Sequence, residues 1–205
     1  MQYVKLKDSL KDFTIFSLND IKKLDKNFHR RRLNEWQNKD YIKKITRGYY
    51  IFSDLALDEN LLFEIANRIY NPSYISLEMA LSYYHLIPES IYGITSVSTR
   101  KTYKFKTSIG NFIYRKIKPN LFFGYNLVSY KDKRFKIASV EKAILDYFYL
   151  NPHIKTEVDF ASLRINKESF LMQAKQRKFY KFVKQFGQKT LIKRIDFFLR
   201  FMKNA

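Results

Sequence analysis

Three arginines stand in a row in NFHRRRLNEWQNKD (27–40), and Asn27, Asn34 and Asn38 accompany them. Arginine pairs bidentately with guanine and asparagine with adenine, so these residue types fit contacts to base edges and phosphates. On a helix, at about 100° per residue, the stretch resolves into two faces. Phe28, Leu33 and Trp36 mark an apolar arc, with His29 inside it and Arg32 beside it. His29 and Trp36 are expected to pack in a core, and Arg32 to snorkel from its edge. Arg30 and Arg31 share the outer face with Asn27, Asn34 and Asn38. The three arginines therefore do not act as one cluster.

Catalysis has weaker support. His29, His85 and His153 are the only histidines, and none has metal-ligand spacing. With no cysteine, the chain has no disulfide and no thiolate metal site. Neither GxxxxGK(S/T) nor GxGxxG occurs, so no phosphate-cradling loop is indicated. Ser139-x-x-Lys142 matches a β-lactamase-type string, but its companion motifs are missing and Ser139 reads better as a helix cap. Glu141 and Asp146 are five apart on one helix and face different ways. The expectation is a protein that is not an enzyme, with no cofactor and no metal.

The elements around the arginines reinforce the binding reading. Residues 2–12 form a short helix with Val4, Leu6 and Leu10 as apolar contacts, and TIFS (14–17) is β-prone. Ser17 with Asp20 resembles a capping box for a helix over 18–24, with Leu18, Ile21 and Leu24 on one face. A turn at Asp25-Lys26-Asn27 follows, with Asn27 as N-cap of the arginine helix. YIKKITRGYYIFS (41–53) reads as a hairpin, with Lys43 and Lys44 on its first strand and Arg47-Gly48 at the turn. Helix, helix and basic hairpin make the winged helix-turn-helix pattern. Its second helix would enter the major groove, and its wing would touch phosphates or the minor groove. The DNA-binding candidates are thus Asn27, Arg30, Arg31, Asn34 and Asn38 from the helix, and Lys43, Lys44 and Arg47 from the wing.

The rest of the chain reads as a larger mixed α/β domain. DENLLFEIANRIY (58–70) carries a helical stripe, and Ser76 and Ser139 stand where two further helices begin. Between Ile94 and Ser139 the chain is β-rich, with ITSVST, TYKFKT, FIYRKI, LFFGY, NLVSY and FKIAS as strand candidates. The end is helical, and its last helix places Leu191, Ile195, Phe198, Leu199 and Met202 on one face. The fold expected is α+β: a winged helix-turn-helix over 1–53, then a mixed domain with a helical tail over 54–205.

The 205 residues carry a formal net charge of +20, which points to a polyanionic partner. Residues 1–53 hold 13 basic and 6 acidic residues, and residues 166–205 hold 11 and 2. The middle is nearly balanced. MQYVKLKDSL lacks the apolar core of a signal peptide, and no apolar run is long enough for a transmembrane helix. A cytoplasmic location and no membrane partner are expected.

Three stretches together resemble the AbiEi-type antitoxins of bacterial abortive-infection toxin–antitoxin systems. They are RRLNEWQNKDYIKKITRGYYIF (31–52), NPSYISLEMALSYYHLIPE (71–89) and IASVEKAILDYFYL (137–150). The first resembles that family's basic helix and Arg-Gly-x-Tyr wing. The second resembles its Pro-Ser-Tyr-Ile-Ser-x-Glu-x-Ala-Leu block, and the third its Ala-Ser-x-Glu-Lys-Ala block. Val140 departs from the proline frequent there. The resemblance covers roughly the first 150 residues and leaves the basic tail unmatched. It implies an N-terminal winged helix that binds double-stranded operator repeats and represses its own operon in phage defence. It also implies a C-terminal domain that counters a cognate nucleotidyltransferase-like toxin. By position it assigns Arg31, Arg32, Lys44, Arg47 and Gly48 to the DNA-binding signature. Two other readings compete: a ligand-responsive winged-helix transcription regulator without a toxin, and an RNA-binding protein.

Overall fold

The computed structural model describes residues 1–88 and 92–204; Glu89, which ends the second matching stretch, lies outside them. The described chain is mixed α+β. It begins with α1 (Tyr3–Ser9), β1 (Phe16–Ser17), α2 (Leu18–Leu24), α3 (Arg31–Asn38), β2 (Ile42–Thr46) and β3 (Tyr49–Phe52). The three strands form one antiparallel sheet in the order β1-β3-β2. Then come α4 (Glu59–Ile69), β4 (Ser73–Ile75), α5 (Leu77–Tyr83), β5 (Ile94–Ser98), β6 (Tyr103–Thr107), β7 (Gly110–Lys116), β8 (Tyr125–Tyr130) and β9 (Lys133–Ala138). Six strands make a mixed sheet ordered β6-β7-β5-β4-β9-β8, in which β4 runs parallel to β9 and β5 to β7. Five helices close the described chain: α6 (Val140–Leu150), α7 (Glu157–Ser162), α8 (Lys167–Gln173), α9 (Gln176–Phe186) and α10 (Lys189–Asn204).

Local chemistry starts several helices where the sequence indicates. At α2 the Asp20 N–H donates to Ser17 Oγ at 3.3 Å, and the Ser17 N–H donates to Asp20 Oδ2 at 2.8 Å. That is the capping box expected, with Asp in the place of Glu. At α4 the Leu61 N–H donates to Asp58 Oδ1 at 2.9 Å. Along α10, Leu191, Ile195, Phe198 and Met202 are buried, so its apolar face is consumed by the core. Among the described residues no helix is long and apolar enough to cross a membrane.

The hairpin register explains how the two sheets join. Ile42 lies opposite Phe52, Lys43 opposite Ile51, and Lys44 opposite Tyr50. Residues directly opposite share a face of the sheet. Ile42, Tyr50 and Phe52 pack on one side with Leu6, Ile21 and Trp36 in a small core. Ile45 and Ile51 point the other way and join the large core of the six-stranded sheet, as does Ile15. The N-terminal sheet is therefore buried on both faces. The small core lies wholly within the first 53 residues, but Ile45 and Ile51 stand outside it and tie the hairpin to the larger part.

Three other expectations are corrected. Val4 is 66% exposed, because α1 turns Leu6 and Leu10 inward instead. Leu24 is 48% exposed, since Ile21 alone of its face is fully buried. LFFGY is not a strand: a 3-10 turn over Pro119–Leu121 opens it, and Gly124 at φ +74° breaks it. Phe122 and Phe123 leave this loop separately, toward Tyr74 and Phe182.

Candidate nucleic-acid interface

The arginine helix starts later than its residue types indicate. α3 opens at Arg31, and Arg30 is its N-cap residue with no side-chain capping bond. Asn27 is not the cap. Its N–H donates to Asp25 Oδ1 at 3.1 Å, and that carboxylate also takes the N-terminal ammonium at 2.9 Å. The turn is thus closed around Asp25, and Asn27 sits ahead of the helix instead of on its outer face. Phe28 drops into the small core while His29 is exposed, contrary to the packed histidine expected. The core position is filled by Phe28, and the next residue turns to solvent.

Inside α3 the two faces hold. Leu33 and Trp36 are buried, and Arg31, Asn34 and Asn38 are exposed, as is Arg30 before them. Arg32 is turned inward: Nη1 donates to the Met1 carbonyl, and the guanidinium lies 5.8 Å from the Trp36 ring centre. This anchors α3 to the N-terminus and withdraws Arg32 from the outer face.

The β2–β3 hairpin divides its lysines. Lys44 is exposed on the sheet face that packs on the helices, and Lys43 is half-buried on the opposite face. Successive strand residues point to opposite sides, so the two cannot serve one phosphate track together. Arg47 is exposed at the turn. α3 packs against β2, so the helix face and the hairpin belong to one substructure. The structure thus leaves Arg30, Arg31, Asn34, Asn38, Lys44 and Arg47 presented to solvent.

A second polar constellation lies deep in the six-stranded part. Lys142 and Asp146, one turn apart on α6, are both fully buried and form an ion pair. Lys142 Nζ also donates to the Tyr74 hydroxyl at 2.8 Å, and that hydroxyl donates to Asp146 Oδ2 at 2.8 Å. Ser76 Oγ donates to the same oxygen at 2.9 Å. Ser76 does stand at the N-cap of α5, but its hydroxyl is spent on Asp146 and caps nothing. Ser139, likewise, is the N-cap residue of α6 without a side-chain capping bond. Burial pushes the Lys142 ammonium down and the Asp146 carboxyl up from their usual ranges, and their mutual attraction offsets this only in part. Burial also raises the Tyr74 phenol well above its usual range. With no solvent access, this centre joins β4 to α6 and offers no reacting atom to a substrate. Among the described residues no cluster of three or more His, Asp or Glu could hold a metal ion.

Comparison with protein-family models finds no match, and neither does comparison with characterised proteins.

The basic tail presents a second cationic surface, on α9. On α9 and just before it, Lys175, Arg177, Lys181 and Lys184 are exposed beside Tyr180. Lys178 is held by Glu141 at 3.0 Å. Burial pushes the Glu141 carboxyl up, yet several hydrogen bonds, led by the Lys175 N–H at 2.9 Å, outweigh it and hold the group below its usual range. The buried faces of α9 are Phe179, Phe182, Val183 and Phe186, so the cations are the outward remainder of an amphipathic helix.

Proposed function

We propose that this protein is a DNA-binding antitoxin: a winged-helix repressor of its own operon whose larger part counters a nucleotidyltransferase-like toxin in the cytoplasm. The observation that carries the DNA reading is one substructure in which α3 presents Arg30, Arg31, Asn34 and Asn38 while the adjoining hairpin presents Lys44 and Arg47. The element order, from α1 and β1 through α2 and α3 to the β2–β3 hairpin, supports a winged helix-turn-helix. In this reading α3 enters the major groove, where Arg and Asn reach base edges, and Arg47 meets the backbone.

The antitoxin part rests on the resemblance of three stretches. Two of them meet in space: Tyr74 and Ser76 of the second stretch bond Lys142 and Asp146 of the third. That contact gives the two stretches a shared structural role as a buried joint between β4 and α6. Repression and neutralisation are tested together. Gel shifts with the DNA upstream of the gene are expected to show a specific complex. Co-expression with the neighbouring open reading frame is expected to rescue growth. A specific complex without rescue from any toxin would leave a repressor and refute the antitoxin reading.

A further inference from the structure

Helix α9 carries a stripe of cations that nothing in the described chain neutralises. Arg177, Lys181 and Lys184 are exposed, and their spacings of four and three place them on one helix face. Among the described residues the only ion pair on α9 joins Lys178 to Glu141, and the helix itself holds no acidic residue. Like charges at such spacings repel, and the positive end of the helix dipole disfavours Arg177 in the first turn. The stripe is thus kept at a small cost that a bound polyanion would remove. At 1.5 Å per residue the three cations span about 10 Å, which is a track for a phosphate backbone and too long for a single phosphate.

An apolar hollow of about 220 Å³ opens beside the stripe, where α8, α9 and α10 meet. Leu171, Ala174 and Leu199 line it, and each keeps surface open to solvent. Gln176 adds an exposed amide that can donate and accept. Tyr180, 42% exposed, borders both the hollow and the cations. A cation track beside an accessible aromatic ring and an apolar recess suits an unpaired polynucleotide: phosphates lie along the track and a base stacks on the ring. A duplex keeps its base faces stacked inside and could use the track alone. The polyanion that presents unpaired bases, in loops, bulges and ends, is RNA. We propose that α9 binds an unpaired stretch of RNA, with the backbone on Arg177, Lys181 and Lys184 and one base in the hollow against Tyr180.

The inference does not depend on the DNA-binding reading, because its surface lies on α9 and its probe is a single strand. The measurement is fluorescence anisotropy of a short, unstructured, end-labelled RNA with the full chain, over a range of salt. Three phosphate contacts to a single strand give a log–log salt slope of roughly −2, and Lys181→Ala is expected to lessen it by roughly 0.7. Tyr180→Ala is expected to weaken binding at least about 5-fold without moving the slope, and Tyr180→Phe, which keeps the ring, to retain the affinity. Both positions are exposed, so these variants leave the core untouched. The same RNA annealed to its complement is expected to compete at least about 5-fold more weakly than the single strand, since it offers no base to the hollow. A duplex that competes equally, Tyr180→Ala without loss, a slope unmoved by Lys181→Ala, or no binding at low salt would each overturn the proposal. So would displacement of the RNA by phosphatidylglycerol vesicles at matched phosphate concentration, which would make α9 a lipid-binding surface.

Discussion

Lys142→Met removes one charge from the centre that joins β4 to α6. Methionine keeps most of the lysine stem's volume, so packing against Phe123 and Phe186, whose ring centres lie 5.0 and 4.9 Å from the ammonium, changes little. What changes is electrostatic. The Asp146 carboxylate keeps the Tyr74 and Ser76 hydroxyls but loses its only cation, at a fully buried position. Breaking a buried pair from one side costs about 3–5 kcal/mol. For a chain of this size that lowers Tm by roughly 6–20 °C. Adding Asp146→Asn removes the second charge, and the new amide oxygen still accepts from Tyr74 and Ser76. Burial drives both groups toward their neutral forms, so the double variant is expected to cost less than Lys142→Met alone. Urea unfolding, followed by circular dichroism and by the single tryptophan, Trp36, measures wild type, Lys142→Met, Asp146→Asn and the double variant. A cost for Lys142→Met below about 1 kcal/mol, or a double variant equal to the sum of the singles, would refute the reasoning.

Duplex binding should weaken with salt. If Arg30, Arg31, Lys44 and Arg47 each displace one counterion, the log–log slope is roughly −3.5 per bound copy, and a slope near zero removes the electrostatic basis of the reading. Arg47→Ala should weaken all sequences alike, whereas Arg31→Ala or Asn34→Ala should cost about 1–3 kcal/mol and relax preference at single base pairs. Uniform losses across operator variants would make both backbone contacts. Gly124→Ala should destabilise by about 2–4 kcal/mol, since its φ is +74° and a Cβ there would lie 2.8 Å from Phe182 and 3.2 Å from Lys142. Unchanged melting would show that the loop yields freely. Asp159 accepts N–H bonds from Lys155 and Thr156, which hold its carboxyl at about 2 against an ordinary 3.8. A depressed acid stabilises the fold above its unfolded value and loses that contribution as pH falls, so the start of α7 should loosen between about pH 4 and pH 2. Carboxyl NMR shifts with a midpoint at or above 3.8 would contradict this.

Short-range chemistry was readable in the residues. The Ser17–Asp20 box, the turn at Arg47-Gly48 and the apolar stripe of α10 each depend on neighbours within a few positions, and each took the form its spacing implies. The start of α3 was not readable, because the turn closes through the Asn27 N–H on Asp25 and no side chain caps the helix. The lysine pair showed a different gap. Glu141 and Asp146 invited comparison as two acids, but the partner one turn before Asp146 is Lys142, inside a run of apolar residues. A basic and an acidic residue four apart in such a run signal a buried pair. LFFGY has strand composition, yet Pro119 and Gly124 bracket it, and punctuation of that kind outweighs β propensity. The hollow beside Tyr180 had no sequence signature, since α8, α9 and α10 meet there only once the helical end is assembled.

The two-sided burial of the N-terminal sheet bears on how such a protein can be altered. Exchanging the outer residues of α3 touches neither core and should change the surface it presents without a folding penalty. The hairpin is different: Ile45 and Ile51 are fitted to the larger part, so a hairpin transplanted from another protein would arrive with the wrong underside. Recombination between lineages would then favour crossovers that carry β2, β3 and α4 together, and helix α3 would diversify faster than the hairpin beside it.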